Sequence, residues 1–206
     1  MPLFKQIQPD NHTQVLVWEI TESKEDLRKG LVLEAHSKHR IKSMRSEMHQ
    51  RGYLSVRHLL KEAGYCDSDL FYTDDGKPHL RDGKRISITH SFSFSAIAIS
   101  NSQIGIDIEK NREKIIKIAP KFVADEFDFM AEDNVVAFLT VVWGAKESLF
   151  KIHPDGGLLF KHHLPIEPFK LSDLKTRGWI KKDNYYEVYH IFFESFKGFT
   201  LVYAIG

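Results

Sequence analysis

Asp107 and Glu109 lie two residues apart in IGIDIE, where Ile104, Ile106 and Ile108 alternate with Gly105, Asp107 and Glu109. On an extended strand such residues leave the same face, about 7 Å apart along the chain. An apolar strand carrying two carboxylates on one face must solvate them, pair them or place a cation between them. Magnesium suits the last arrangement, because it takes one or two carboxylates and leaves other positions to water and phosphate oxygens. The plain alternative is a strand with one face turned to solvent.

WGAKESLFK, Trp143 to Lys151, supplies a second group. On a helix, Val135, Leu139, Val142, Trp143, Leu149 and Phe150 form an apolar stripe, and Thr140, Gly144, Glu147 and Lys151 share the flanking face. Glu147 and Lys151 can be an ordinary i,i+4 surface pair or can face a phosphate with its cation. Gly144 is costly inside a helix and is expected to open room for a bulky polyanion beside Glu147 and Lys151. Lys146 falls within the apolar stripe and requires a buried partner, which the sequence does not identify.

Weaker signals lie upstream. Lys77 sits in the turn of TDDGKPHL, and His90 stands between Thr89 and Ser91 near the end of a strand. All are possible phosphate donors. Between His36 and Lys61, Lys38, Arg40, Lys42, Arg45, Arg51, Arg57 and Lys61 face a single acid, Glu47. That run is either a solvated helical face or a phosphate-binding rim.

The elements that must position these residues follow from periodicity. Val15 to Thr21 alternates and reads as a strand, and the stretch from Glu22 to a capping Gly64 is rich in helix. RISITHS, FSAIAIS and IGIDIE read as three strands. A long helical stretch is expected from about Ile115 to His153, interrupted near Glu132, before strands return in NYYEVYHIFFESF and FTLVYAIG around a Lys197-Gly198 turn. Strands and helices thus recur in similar order on either side of about residue 103. The expected architecture is α+β: two similar α/β subdomains, residues 1–103 and 104–206, packed directly on each other.

The composition is that of a folded globular chain, with 42% hydrophobic and 28% charged residues. A net charge of +1 selects neither nucleic acid nor membrane as a partner. With Cys66 alone, no intrachain disulfide or thiolate metal cluster can form. The first residues lack the layout of a signal peptide and no apolar run approaches a membrane span, so a cytoplasmic setting is expected.

Together these segments resemble the 4′-phosphopantetheinyl transferase superfamily. GIDIEK (Gly105 to Lys110) is similar to its G-[IV]-D-[IV]-E strand and WGAKESLFK to its W-x-x-K-E-[AS]-x-x-K helix; GKP (Gly76 to Pro78) and ITHS (Ile88 to Ser91) match two upstream elements in the family's order. The chain departs from the pattern at Gly144, often serine or threonine, at Thr89, commonly serine, and at Phe92, frequently glycine.

The resemblance implies the two-subdomain branch of the family, with a pseudo-two-fold, a site at the seam and action as a monomer. It implies transfer of the 4′-phosphopantetheine arm of coenzyme A to a serine of an apo acyl or peptidyl carrier protein. Adenosine 3′,5′-bisphosphate would leave. Asp107, Glu109 and Glu147 would hold magnesium or manganese. Glu147, Lys151 and His90 would be catalytic, and Lys77, Thr89, His90, Lys151, Arg45 and Arg51 would contact coenzyme A. Carrier docking is expected after Glu109, with Lys114, Lys117 and Lys121 supplying charge and at least one of Phe122, Phe127, Phe129 and Met130 exposed. The rival readings are a metal-dependent hydrolase of nucleotide diphosphates and a non-catalytic carrier-binding module.

Overall fold

The computed structural model describes residues 3–130, 133–154 and 156–206. The fold is α+β, and the chain divides into two compact units, Met1–Ser102 and Gln103–Gly206. No helix among the described residues is long and apolar enough to cross a membrane.

In the first unit, β1 (Leu3–Asp10) and β2 (Thr13–Glu19) form a hairpin, followed by α1 (Lys24–Arg28), α2 (Ala35–Ser43) and α3 (Glu47–Glu62). A small hairpin of β3 (Leu70–Tyr72) and β4 (Pro78–Leu80) leads into β5 (Arg85–Ser91) and β6 (Phe94–Ser100). The main sheet is antiparallel in the order β1-β2-β6-β5. Its central strands are buried and pack Leu16, Trp18, Ile97 and Ile99 with Leu54, Leu59 and Leu60 of α3. Gly64, at φ +86°, follows the helix in the left-handed conformation that ends many helices. Phe92, in the β5–β6 turn, has φ +50°. A left-handed residue there favours glycine, which accounts for the frequent family glycine that this chain lacks.

The second unit begins with β7 (Ile104–Lys110), then α4 (Lys114–Ile118), two 3-10 turns, α5 (Val135–Ile152) and α6 (Phe160–His163). β8 (Lys175–Lys182), β9 (Tyr185–Phe196) and β10 (Phe199–Ile205) complete an antiparallel sheet in the order β7-β10-β9-β8. Lys197 and Gly198 both have positive φ, as a two-residue hairpin loop of this twist requires. One face of the sheet packs on α5 through Val142, Ala145, Leu149, Ile180, Ile191 and Val202.

The expected long helix from Ile115 to His153 is replaced by α4, two 3-10 turns and α5. Pro120, in the first 3-10 turn, has no N–H to continue a helix. Asn134, at φ +64°, marks the fresh start of α5. Glu132, where the interruption was expected, lies outside the described residues.

Candidate active site

The candidate site of the second unit begins with two glycines. A Cβ on Gly105 would lie 2.0 Å from the Ser148 carbonyl oxygen, and one on Gly144 would lie 2.7 Å from Val202 Cγ2. Strand β7 and helix α5 therefore approach almost backbone to backbone, and Ser148 Oγ adds hydrogen bonds to the Gly144 and Val202 carbonyls at 2.7 and 3.2 Å. This corrects the expectation that Gly144 opens room for a polyanion: Val202 fills that space. The glycine brings α5 down onto the sheet, where a Cβ at residue 144 would stand 3.7 Å from Asp107 Oδ2.

The close approach sets Asp107 beside α5. Asp107 is 5% exposed, whereas Glu109, Glu147 and Lys151 are half-buried. Lys151 Nζ donates to the Ile106 carbonyl at 2.7 Å and to Asp107 Oδ1 at 3.0 Å. Burial, foremost, and then the charges of Asp107 and Glu109 push the Glu147 carboxyl up to about 7, with Lys151 opposing. Asp107 and Glu109 thus both bear on the Glu147 carboxyl against the opposing Lys151 ammonium, a repulsion that a cation bound among them would lessen.

The donor set is all oxygen, which suits a hard cation. Among the described residues no three histidine, cysteine, aspartate or glutamate side chains form a ready cage for a metal. Magnesium does not need one, since it is commonly held by one or two carboxylates with water and phosphate oxygens.

Lys146, next to Glu147, is fully buried, and its partner is Glu126 at 2.6 Å. Burial pulls the Lys146 ammonium below the ordinary lysine range, while Glu126 pulls the other way. The need for such a partner was legible from a lysine in an apolar stripe. Its identity was not, because Glu126 lies in a 3-10 turn twenty residues upstream.

In the first unit, His90 is exposed at the end of β5 and leans on α3: a Cβ on Gly52 would stand 3.3 Å from its Cγ, and the His49 ring is 6.0 Å away. Thr89 is buried and leaves the opposite face of the strand, so the two neighbours do not present their side chains together. Lys77 is half-buried next to Gly76, in the β3–β4 turn closed by the Thr73 N–H to the Lys77 carbonyl.

The basic run separates into different environments. Lys38, Arg40, Lys42 and Arg45 are exposed, whereas Arg51 donates to the Ile20 carbonyl at 3.1 Å. Arg57 is 3% exposed and pairs with Asp67 at 3.0 Å. The run is therefore no continuous rim, because Arg57 is an internal residue.

Among the four apolar residues considered for docking, Phe122 is buried, Phe129 and Met130 pack on the core, and Phe127 is exposed. Phe127 stands among Asp125 and Asp128, whereas Ile116, also exposed, stands between Lys114 and Lys117. Ile116 was missed in the sequence. A lone apolar residue on the outer side of a short basic helix was the available signal.

Residues 103–199 match the model of the 4′-phosphopantetheinyl transferase superfamily, a stretch that starts where the second unit starts. The chain is 32% identical over 130 residues to 4′-phosphopantetheinyl transferase gsp of Aneurinibacillus migulanus, covering 59% of this chain and 53% of that protein. It is 29% identical over 116 residues to enterobactin synthase component D of Salmonella typhimurium, covering 54% and 49%. The chain thus spans about half the length of the curated relatives it matches. With β7 and α5 carrying the family's two motifs in contact, the second unit of this chain belongs to the 4′-phosphopantetheinyl transferase superfamily.

Proposed function

We propose that this chain transfers the 4′-phosphopantetheine group of coenzyme A to a serine of an apo acyl or peptidyl carrier protein, with magnesium or manganese as cofactor. The observation that carries the reading is the seating of Asp107, Glu147 and Lys151 around the glycine-permitted contact of β7 and α5, inside the stretch that matches the family. A folded scaffold gains nothing from burying an aspartate beside a second carboxylate, which speaks against a non-catalytic binding module.

In this reading Asp107, Glu109 and Glu147 hold the metal, which when bound offsets the charge of the coenzyme A diphosphate. Lys151 spends two of its three N–H donors on Ile106 and Asp107 and offers the third to a phosphate oxygen. Glu147, one helical turn from Lys151, takes the serine proton as the hydroxyl attacks the β-phosphorus. The P–O bond to the leaving adenosine 3′,5′-bisphosphate then breaks. His90 and Lys77 are assigned to phosphate oxygens, and Thr89, Arg45 and Arg51 to the rest of coenzyme A. The chain acts as a monomer in the cytoplasm, and neither nucleic acid nor membrane takes part.

Carrier proteins of the kind implied are acidic around the modified serine. Lys114, Lys117 and Lys121 complement that charge, and Ile116 supplies the apolar anchor that a docking surface needs. The testing experiment is mass spectrometry of a panel of apo-carriers incubated with the chain, magnesium and coenzyme A. At least one carrier should gain a phosphopantetheine on serine. A panel with no gain, alongside consumption of coenzyme A, would favour the hydrolase.

A further inference from the structure

The segment from β7 to α5 has little regular structure to hold it, yet it carries the exposed Lys114, Ile116, Lys117 and Lys121. It is tied at both ends by polar groups. At its start, the Asn111 N–H donates to the Gly198 carbonyl at 2.8 Å, and Asn111 Oδ1 accepts from Thr200 Oγ1 at 2.8 Å. At its end, Lys146 Nζ donates to the Phe122 carbonyl at 2.7 Å, to Glu126 Oε1 at 2.6 Å and to the Phe160 carbonyl at 3.2 Å. Glu126 in turn accepts the Ala124 N–H at 2.7 Å and the Ile166 N–H at 3.3 Å.

A buried ion pair with no other duties can often be exchanged for apolar residues without loss. This pair differs. Removing it would strip partners from the backbone at Phe122 and Ala124, outside any long helix or strand, from the Phe160 carbonyl at the start of α6, and from the Ile166 N–H beside its bridge to Gly178. Between the two ties, Ile115, Ile118 and Ala119 pack on the core and leave Ile116 and the lysines outside.

We propose that the Lys146–Glu126 pair positions the docking segment, fixing the end of Lys114–Lys121 so that its charge and Ile116 meet an acidic partner in one arrangement. Because Lys146 and Glu147 are consecutive on α5, the helix that bears the candidate catalytic carboxylate also anchors the surface that receives the protein substrate. The nature of that partner rests on the carrier-modifying reading above. The positioning itself does not.

The test compares the wild-type chain with Glu126→Gln, in which the carboxamide is a weaker acceptor for the ammonium. Hydrogen exchange with mass spectrometry should show amides of residues 119–127 exchanging about tenfold faster, with β7 and β10 unchanged. With the apo-carrier that the wild-type chain modifies, the Michaelis constant for carrier should rise about fivefold or more, while that for coenzyme A stays within about twofold. Unchanged exchange at residues 119–127 overturns the proposal, as does an unmoved carrier constant in a variant whose segment has loosened. Faster exchange throughout the unit, with both constants and kcat worsening together, also overturns it by reducing the pair to general stability. If Glu126→Gln does not fold, Glu126→Asp, which keeps the charge but shortens its reach to Lys146, carries the same expectations at residues 119–127. If wild type modifies no carrier, the functional reading fails and the partner assignment with it, while the exchange result still decides whether the pair holds the segment.

Discussion

Two charged clusters, one in each unit and each built around a buried aspartate, differ in purpose. Arg57 and Asp67 form a closed account of charge: Arg57 Nε meets Asp67 Oδ1 at 3.0 Å, Ser37 Oγ donates to the same oxygen at 2.8 Å, and the Glu34 N–H takes Oδ2 at 2.8 Å. The guanidinium also lies 3.5 Å over the Tyr53 ring. Around Asp107, by contrast, carboxylates crowd together: Lys151 pairs with Asp107, and burial, foremost, with the charges of Asp107 and Glu109 drives Glu147 up to about 7. Balanced charge fastens α2 and α3 to the loop at Asp67. A carboxyl raised by burial and by like-charged neighbours suits a site, whereas a carboxylate closed by its donors suits a brace.

The sharpest way to break the comparison is to neutralise one aspartate in each cluster. Asp107→Asn should lower transfer by about a thousandfold or more and leave thermal stability nearly unchanged, since it relieves repulsion while keeping an acceptor for Lys151. Asp67→Asn should do the reverse, costing about 3 kcal/mol in urea unfolding because it leaves Arg57 charged and buried, while the folded fraction stays active. Turnover and unfolding curves of both variants check this; equal effects on both measures would dissolve the distinction.

Next comes pH. The Glu147 carboxyl binds its proton more tightly folded than unfolded, so with metal chelated the stability is full below about pH 4.5 and falls as pH rises toward 7. The loss reaches about 3 kcal/mol, and Glu147→Gln should flatten that slope. Urea midpoints across this range, with chelator present, supply the check.

Magnesium should then return stability. At about a hundred times its dissociation constant it adds about 3 kcal/mol to wild type and little to Asp107→Asn. Thermal unfolding with and without the ion measures this, and an equal rise in both proteins would place the cation elsewhere.

The smallest effect concerns docking. Lys117→Glu with Lys121→Glu should raise the Michaelis constant for carrier several-fold, leave that for coenzyme A alone, and lose its effect at high salt. Unchanged carrier kinetics at low salt would move docking to the exposed lysines and arginines of α2.

Much of this contrast was legible in the sequence because β5, β6 and β7 alternate cleanly between turn residues. The bounds of β5 and β6 match the runs RISITHS and FSAIAIS, and β7 extends IGIDIE by Lys110. The edge strand β1 was missed, since LFKQIQPD is half-exposed and mixes polar and apolar residues without a buried pattern. Pro120 is a visible helix breaker, yet the expected interruption was placed near Glu132 instead. The motif residues were legible through their resemblance to a family. The purpose of Gly144 was not, because a helix wheel records faces but not the Val202 side chain that occupies the glycine's gap.

In the proposed reading the carboxylate cluster around Asp107 serves transfer to a protein rather than to water. Release of adenosine 3′,5′-bisphosphate from coenzyme A, followed in magnesium with and without apo-carrier, tests it most directly. One bisphosphate should appear per carrier serine modified, none without carrier, and none from Asp107→Asn in either mixture. Release by the wild-type chain in the absence of carrier, or undiminished release by Asp107→Asn, would contradict it.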